Sequence, residues 1–245
     1  FCRKVEVDGF SELKLQLAKE INTYNLSGER IADDTPFEKQ DDIHLIARNI
    51  LNLNIQAQLD TFNALDMKQL ETIALRIESS EETFLYGVGQ SLILCEELQY
   101  KLLRIGINSN LSVHSGFQFM KSNTQSKNSV AIIISYYGQG HDNLLIVKSL
   151  KRNKIPTILI TGPDNLMIAK TLKRNNTPLI LITGPKTNPL CDYADEVVHV
   201  PPQEELMKKM ASFSSRAAIQ LVIDIIYAYV FSFNYDHNSQ MLSIE

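Results

Sequence analysis

Two short turns hold the residues of this sequence whose types and spacing could do chemistry. The first, GVGQS (residues 87–91), follows a β-prone run and precedes a helical pattern, and the second, SYYGQG (residues 135–140), stands in the same setting. Backbone amides at a helix start, with a hydroxyl group beside them, suit a small anion such as a phosphate ester. Glycines remove steric bulk, so the backbone can come close to such a ligand. The alternative for the first turn is a tight bend that needs two glycines.

The first turn does not fit a nucleotide site. A dinucleotide-binding fingerprint needs a third small residue, where this chain has Leu92, and an acidic residue at the end of the second strand. The second strand-like run, NSNLSV, has no acid, and the lysine of a phosphate-binding P-loop is missing. These observations exclude both classes of nucleotide site.

Three residues are candidates for the general base that sugar isomerisation would need: His114, Glu204 and Glu205. A single histidine at a strand end is more often structural or solvated. Two acids that follow Pro201 and Pro202 commonly stabilise a helix N-terminus. The sequence therefore favours a structural role for each.

Alternating strand-like and helical runs from residue 83 onward must position the two turns. The runs Val130–Ser135, Thr157–Thr161 and Leu179–Thr183 are almost wholly apolar. Strands covered on both faces have this composition, so we predict a parallel sheet with helices on each side, a three-layer α/β fold. The turns would then meet at the carboxyl ends of the first and third strands.

Helical patterns flank this region. Apolar spacing predicts helices over 10–24, near 43–53 and near 70–77, and a last helix from about Glu204 to Phe233. The polar stretch between the first two helices is predicted to be a linker. The last helix contains Gln220 and Asp224, so we predict that it is buried and does not span a membrane.

One segment is repeated in tandem. Residues 142–163 and 164–185 match at sixteen of twenty-two aligned positions, including Lys-Arg-Asn and Thr-Gly-Pro in register. Duplication of one αβ unit explains this agreement better than convergence of helix and strand propensities. Because consecutive αβ units extend a sheet one strand at a time, we expect an extra parallel strand.

Composition excludes several classes of protein. The net charge of -4 gives no nucleic-acid signature, and three widely spaced cysteines form neither a disulfide framework nor a zinc motif. An apolar leader is not evident at residues 1–10. We expect a soluble, cytoplasmic protein with no metal, no cofactor and no membrane partner.

The two turns resemble the signatures of the SIS (sugar isomerase) domain family, GxGxS after the first strand and SxSGxT after the third. Gly87, Gly89 and Ser91 match the first signature. Ser135 and Gly138 match the second, whereas Tyr137 and Gly140 replace residues whose hydroxyl groups bind phosphate in the family. The resemblance implies a five-stranded sheet, to which the duplication would add a sixth strand. It implies the ligand-binding residues Gly87, Gly89, Gln90, Ser91, Ser135, Tyr136, Tyr137, Gly138, Gly140 and His114.

The first residues, FCRKVEVDGF, resemble the end of the helix-turn-helix in RpiR-type transcriptional regulators. This resemblance implies that residues 1–30 are the carboxyl-terminal part of a DNA-binding domain, with Arg3 and Lys4 as DNA contacts. Residues 31–79 would be a helical linker and 80–245 a phosphosugar-binding SIS domain. It also implies operator DNA as a partner and a homodimer or higher homo-oligomer.

Three functions remain open at this point. In the first, the protein is a regulator, not an enzyme, whose SIS domain senses a phosphosugar and controls DNA binding. The second is a phosphosugar isomerase. The third is a dimerisation module without a ligand, a function that the altered second signature allows.

Overall fold

Six parallel strands form one sheet in the computed structural model, which describes residues 35–136, 141–161, 179–183, 196–199 and 210–242. The strands are β1 (Glu82–Tyr86), β2 (Ser109–Leu111), β3 (Ser129–Ser135), β4 (Thr157–Thr161), β5 (Leu179–Thr183) and β6 (Glu196–His199). Their order across the sheet is β2-β1-β3-β4-β5-β6, and every neighbouring pair is parallel. The predicted parallel sheet, with the strands of both repeat copies inside it, is confirmed.

The two copies of the repeat pair with each other at equivalent positions. Thr157 lies opposite Leu179, and Ile158 lies opposite Ile180, so each residue faces its own counterpart twenty-two positions later. A duplicated αβ unit with a right-handed crossover produces this register, because the second copy repeats the path of the first.

Seven helices accompany the sheet within the described residues. They are α1 (Ile43–Ala64), α2 (Met67–Glu78), α3 (Gln90–Arg104), α4 (Ser115–Thr124), α5 (His141–Arg152), α6 (Ser214–Phe233) and α7 (Tyr235–Leu242). The first two begin at aspartate caps: Asp42 accepts a hydrogen bond from the Leu45 amide, and Asp66 accepts one from the Lys68 amide. Such caps satisfy amides that have no partner within the helix.

Two apolar layers cover the central strands. On one face, Leu85, Ile132 and Ile158 pack with α2, α3 and α6. On the other face, Phe84, Ile133 and Leu159 pack with α5 and with Phe119 of α4. Successive residues of each strand point to opposite faces, so a strand buried on both sides must be apolar throughout. This arrangement confirms the three-layer α/β prediction.

The helix boundaries correct the sequence-based expectations in two places. The helix that was predicted from about Glu204 to Phe233 is α6, and it begins at Ser214 because residues 210–213 are not helical. Helix α4 was not predicted, since Phe117 and Met120 are exposed whereas its buried side chains, Gln118 and Ser122, are polar. The predicted helix over 10–24 lies outside the described residues.

Helix α6 is long and apolar enough to cross a membrane by length and composition alone. Its apolar face instead packs into the core: Ile219, Val222 and Ile226 are buried in the cluster with α2 and α3. Lys101 of α3 also forms an ion pair with Asp224 of α6 and a second one with Glu97. The described contacts therefore account for α6 as a core helix.

Candidate functional site

The strand order places a switch point between β1 and β3. The chain leaves β1 toward β2 at the edge and then returns to β3 on the other side of β1. Loops that leave neighbouring strands in opposite directions open a crevice at the carboxyl ends of the strands, where ligands of open α/β sheets bind. The two turns that the sequence singled out follow β1 and β3, so both start at this crevice.

Gly87 is required at the end of β1 by close packing. A Cβ atom at this position would lie 2.9 Å from Sγ of Cys95 and 3.0 Å from the main-chain carbon and oxygen of Ser91. These distances are too short for carbon, so any side chain would force the start of α3 away from the sheet. The glycine lets α3 begin directly above β1.

Gly89 is required by its backbone conformation. Its φ of 57° and ψ of -127° are unfavourable for residues with a side chain, whereas a Cβ atom would meet nothing within 4 Å. Gly89 is the N-cap of α3, and the helix continues through Gln90 and Ser91. The amide of Ser91 donates to the Val88 carbonyl at 3.2 Å, so this amide is already used within the turn.

A cleft of about 520 Å³ lies beside this turn. Its walls come from the β1–α3 turn, the loop between β2 and α4, and the first turn of α5. Its lining residues are Val88, Gly89, Leu92, Val113, His114, Ser115, Gly116 and Asp142. The volume suits a small metabolite.

The polar groups that line the cleft are suited to bind a polar ligand that carries hydroxyl groups. Three helices begin around it, and their N-terminal ends favour negative charge. The imidazole of His114 and the hydroxyl group of Ser115 can each donate or accept a hydrogen bond, and the Asp142 carboxylate accepts from ligand hydroxyl groups. Of the sequence-predicted binding residues, Gly89 and His114 line this cleft.

Ser135 and Tyr136 end the third strand in a buried setting. Both are 6% exposed, and the Ser135 hydroxyl oxygen accepts a hydrogen bond of 2.9 Å from Nδ2 of Asn143. The Tyr136 side chain belongs to the apolar cluster on the α2, α3 and α6 face. A contact from Tyr136 to a ligand would therefore come from its main chain.

Tyr137, Gly138 and Gly140 of the second turn lie outside the described residues, as do Arg3, Lys4 and the base candidates Glu204 and Glu205.

Gln118 is a residue of this region that the sequence patterns missed. It is 1% exposed, and its Nε2 donates to the Gly87 carbonyl at 2.8 Å and to the Ser112 carbonyl at 2.7 Å. Its Oε1 accepts from the Gly87 amide at 3.3 Å. The signal in the sequence was a face of glutamine and serine, Gln118, Ser122 and Gln125, at helical spacing among exposed apolar residues.

Two ionisable groups beneath the turn stay neutral. Burial raises the pKa of the Cys95 thiol, which donates to the Tyr86 carbonyl at 3.4 Å. Burial also raises the pKa of the Tyr86 phenol, whose hydroxyl group donates to Oε1 of Gln125. Because the thiolate is the nucleophilic form, Cys95 is not suited to covalent chemistry.

The sequence pattern of the SIS domain family matches residues 76–170 and 163–229. Together the two matches cover more than half of the chain. The chain belongs to the SIS domain family. The matches overlap over 163–170, at the start of the second repeat copy, as expected for a SIS domain that contains one αβ unit twice.

Sequence relatives of this SIS protein are described as transcriptional regulators. An HTH-type transcriptional regulator of Haemophilus influenzae is 28% identical over 228 residues, which are 93% of this chain and 71% of the relative. A second such regulator, from Caldanaerobacter subterraneus, is 26% identical over 94% of this chain and 72% of the relative.

Solved structures share the fold at lower identity. The NanR protein of Vibrio vulnificus, complexed with ManNAc-6P, superposes with a TM-score of 0.65 at 17% identity and covers 99% of this chain and 76% of its own. The sugar isomerase domain of an RpiR transcription factor from Sphaerobacter thermophilus has a TM-score of 0.60 at 13% identity, with 79% and 94% covered. Phosphoheptose isomerase from Neisseria gonorrhoeae has a TM-score of 0.55 at 15% identity, with 78% and 99% covered.

Proposed function

We propose that this chain is the effector-sensing part of a cytoplasmic transcriptional regulator. Its SIS domain binds a phosphosugar at the carboxyl ends of β1 and β3, and binding controls DNA recognition by an N-terminal helix-turn-helix. The observation that carries the proposal is the glycine turn at the switch point, with a cleft of metabolite size beside it. The similarity to HTH-type regulators over 93% of the chain supports the regulatory role.

The phosphate is proposed to lie against the loop that contains Ser135, Gly138 and Gly140, with the Gly89 turn and Ser91 beside it. Glycines there let main-chain amides approach the anion. The amide of Ser91 already donates within its own turn, which favours the other loop as the phosphate site. The sugar ring would extend into the cleft, toward His114 and Asp142.

DNA contacts are proposed for Arg3 and Lys4, in a domain of which residues 1–30 form the carboxyl-terminal part. Residues 31–79 would transmit the signal, and residues 80–245 would form the SIS domain. Helix α2 supports close coupling between these parts, because Leu70, Ile73 and Ile77 are buried in the same apolar cluster as β1 and β3. A change at the strand ends could therefore reach the helices that lead toward the DNA-binding domain.

A second candidate function is phosphosugar isomerisation. His114 lines the cleft and is in reach of a ligand as a general base, and phosphoheptose isomerase has the same fold. The sequence relatives favour the regulator. An assay of aldose–ketose interconversion separates the two: turnover that disappears in His114→Ala would establish the enzyme and exclude a pure sensor.

Calorimetry tests the sensor directly. The chain is titrated with ManNAc-6P, arabinose 5-phosphate and glucose 6-phosphate, and with glucose as the control that lacks a phosphate. We expect at least one phosphosugar to bind and glucose not to bind. Because charge-assisted hydrogen bonds contribute about 1.5–3 kcal/mol each, losing two of them in Ser91→Ala with Ser135→Ala should weaken binding by about a hundredfold or more.

The reverse change completes this test. Tyr137→Ser with Gly140→Thr introduces two hydroxyl groups into the second turn, residues 135–140, and should tighten phosphosugar binding. If neither the parent nor this variant binds any phosphosugar, the sensor proposal fails and a dimerisation module takes its place.

A further inference from the structure

The side chain of Gln118 joins two loops that line the cleft. Its side-chain amide forms hydrogen bonds with the main chain of Gly87, in the β1–α3 turn, and with the carbonyl of Ser112, at the start of the β2–α4 loop. The neighbours of these two residues, Val88 and Val113, are lining residues on different walls. Only 1% of the surface of Gln118 is exposed, so these hydrogen bonds are shielded from water.

We propose that Gln118 is a positioning residue that fixes the distance between these two walls and thereby sets the affinity of the cleft for its ligand. The statement about affinity rests on the proposed phosphosugar site, whereas the statement about the walls does not. Gln118 bonds the main-chain N–H and carbonyl of Gly87, so this contact needs no side chain at Gly87.

The main-chain groups that Gln118 bonds explain why this residue is a glutamine. Two carbonyl oxygens and one amide N–H converge on the same side chain, and they need two N–H donors and one acceptor. A primary amide carries two donors and one acceptor oxygen, whereas a carboxylate has no donor and an apolar side chain has neither. Removing the amide would leave buried main-chain groups without a partner, and each loop could then move to find water.

The chain provides a matched control in Gln125, which directly follows the same helix. Gln125 is also buried, and it bonds Tyr86 through Oε1 and the Ser129 hydroxyl group through Nε2 at 3.0 Å. These partners are side chains and not the main chain of the cleft loops. Gln118→Met and Gln125→Met each replace a buried amide by an apolar side chain of similar length, so both should lower the melting temperature.

Two readouts distinguish positioning from general stability. Hydrogen exchange followed by mass spectrometry should show faster exchange in peptides that cover residues 86–93 and 111–117 of Gln118→Met, with no such change in Gln125→Met. In calorimetry with ManNAc-6P, glucose 6-phosphate and inorganic phosphate, Gln118→Met should weaken binding by about tenfold, while Gln125→Met stays within about twofold of the parent.

Each outcome decides the proposal. Unchanged exchange at both loops in Gln118→Met, or an equal loss of affinity in the two variants, overturns it. If the parent binds none of the probes, the phosphosugar function fails, and the exchange measurement alone decides whether Gln118 holds the walls. Should Gln118→Met not fold, Gln118→Asn keeps the amide but shortens it by one carbon, and the same local exchange is expected.

Discussion

At the scale of single residues, Gly87 and Gly89 stand in one turn and must be glycine for different reasons. At Gly87 a side chain would collide with Cys95 and with the main chain of Ser91, whereas at Gly89 the space is open and the backbone angle is the obstacle. The sequence shows two equivalent letters. The structure distinguishes the two causes: at Gly87 the packing of α3 against β1 excludes a side chain, and at Gly89 the backbone angles exclude one.

This distinction predicts the behaviour of Gly87→Ala. Forcing a methyl group into a filled site should lower the free energy of unfolding by about 1–3 kcal/mol. Cys95→Ala removes the nearest obstructing atom, so the double variant should lose less than the sum of the single losses. Urea unfolding of the four proteins measures this coupling.

Gly116 supplies the control for this prediction. It lies in α4, and a Cβ atom there would meet nothing within 4 Å. Gly116→Ala should therefore leave stability unchanged or raise it, because alanine is the better helix former. Equal losses at Gly87 and Gly116, or strictly additive losses at Gly87 and Cys95, would contradict the steric explanation.

At the scale of elements, the repeated αβ unit adds a complete strand to the sheet without changing its pattern. Strand β5 pairs with β4 at equivalent positions, and β6 then pairs with β5 in the same parallel sense. The strand that the second copy adds lies between β4 and β6, away from the β1–β3 crevice. The duplication thus widens the sheet at a distance from the candidate site.

Because the copies are equivalent, one of them should be removable. Deleting residues 164–185 joins Pro163 to Lys186 and preserves the sequence ILITGPK at the junction. We expect a folded protein with cooperative thermal unfolding, a lower melting temperature and an unchanged phosphosugar affinity. Circular dichroism and calorimetry measure these three properties.

A shorter deletion is the control. Removing residues 164–174 keeps β5 but leaves only a few residues between β4 and β5. A parallel crossover needs about a dozen residues or more, so this variant should not fold cooperatively. A cooperative transition in the shorter deletion, together with none in the complete one, would show that the two copies are not interchangeable.

At the scale of the whole molecule, apolar side chains remain at the surface. Val113 precedes α4, Phe117 and Met120 follow on that helix at helical spacing, and Phe117 is 64% exposed. Helix α6 is covered by α1, α2 and α3 of the same chain, but Leu221 and Ile225 are half-buried and Tyr229 is exposed. Contiguous exposed apolar patches are typical of interaction sites.

We therefore expect the chain to form a homodimer in solution. Sedimentation equilibrium at micromolar concentration should give about twice the chain mass of 27.8 kDa, and dilution should shift the population toward the monomer. The apolar residues on α4 and α6 are the reason, since burying them against a second copy removes them from water. A single species of 27.8 kDa at all concentrations would contradict this expectation.

Much of the architecture was encoded locally and was therefore readable from the sequence. The continuous apolar runs that became β3, β4 and β5 predicted a sheet buried on both faces, and the repeat predicted one additional parallel strand. The glycine turn predicted a close approach of backbone at the end of β1. Hydrophobic periodicity, composition and turn residues depend only on neighbours along the chain, so they can be read from the linear sequence.

The tertiary structure decided which side chains meet. It placed Tyr136 in the core and His114 in the cleft. It also gave Gln118 its role, because the buried glutamine bonds both the carbonyl of Gly87, 31 residues earlier, and that of Ser112 in the adjoining loop. It also turned the polar face of α4 inward, against the usual pattern for a helix on a sheet. Hydrogen bonds across 31 residues of sequence have no periodic signal, and the packing of the loops alone determines them.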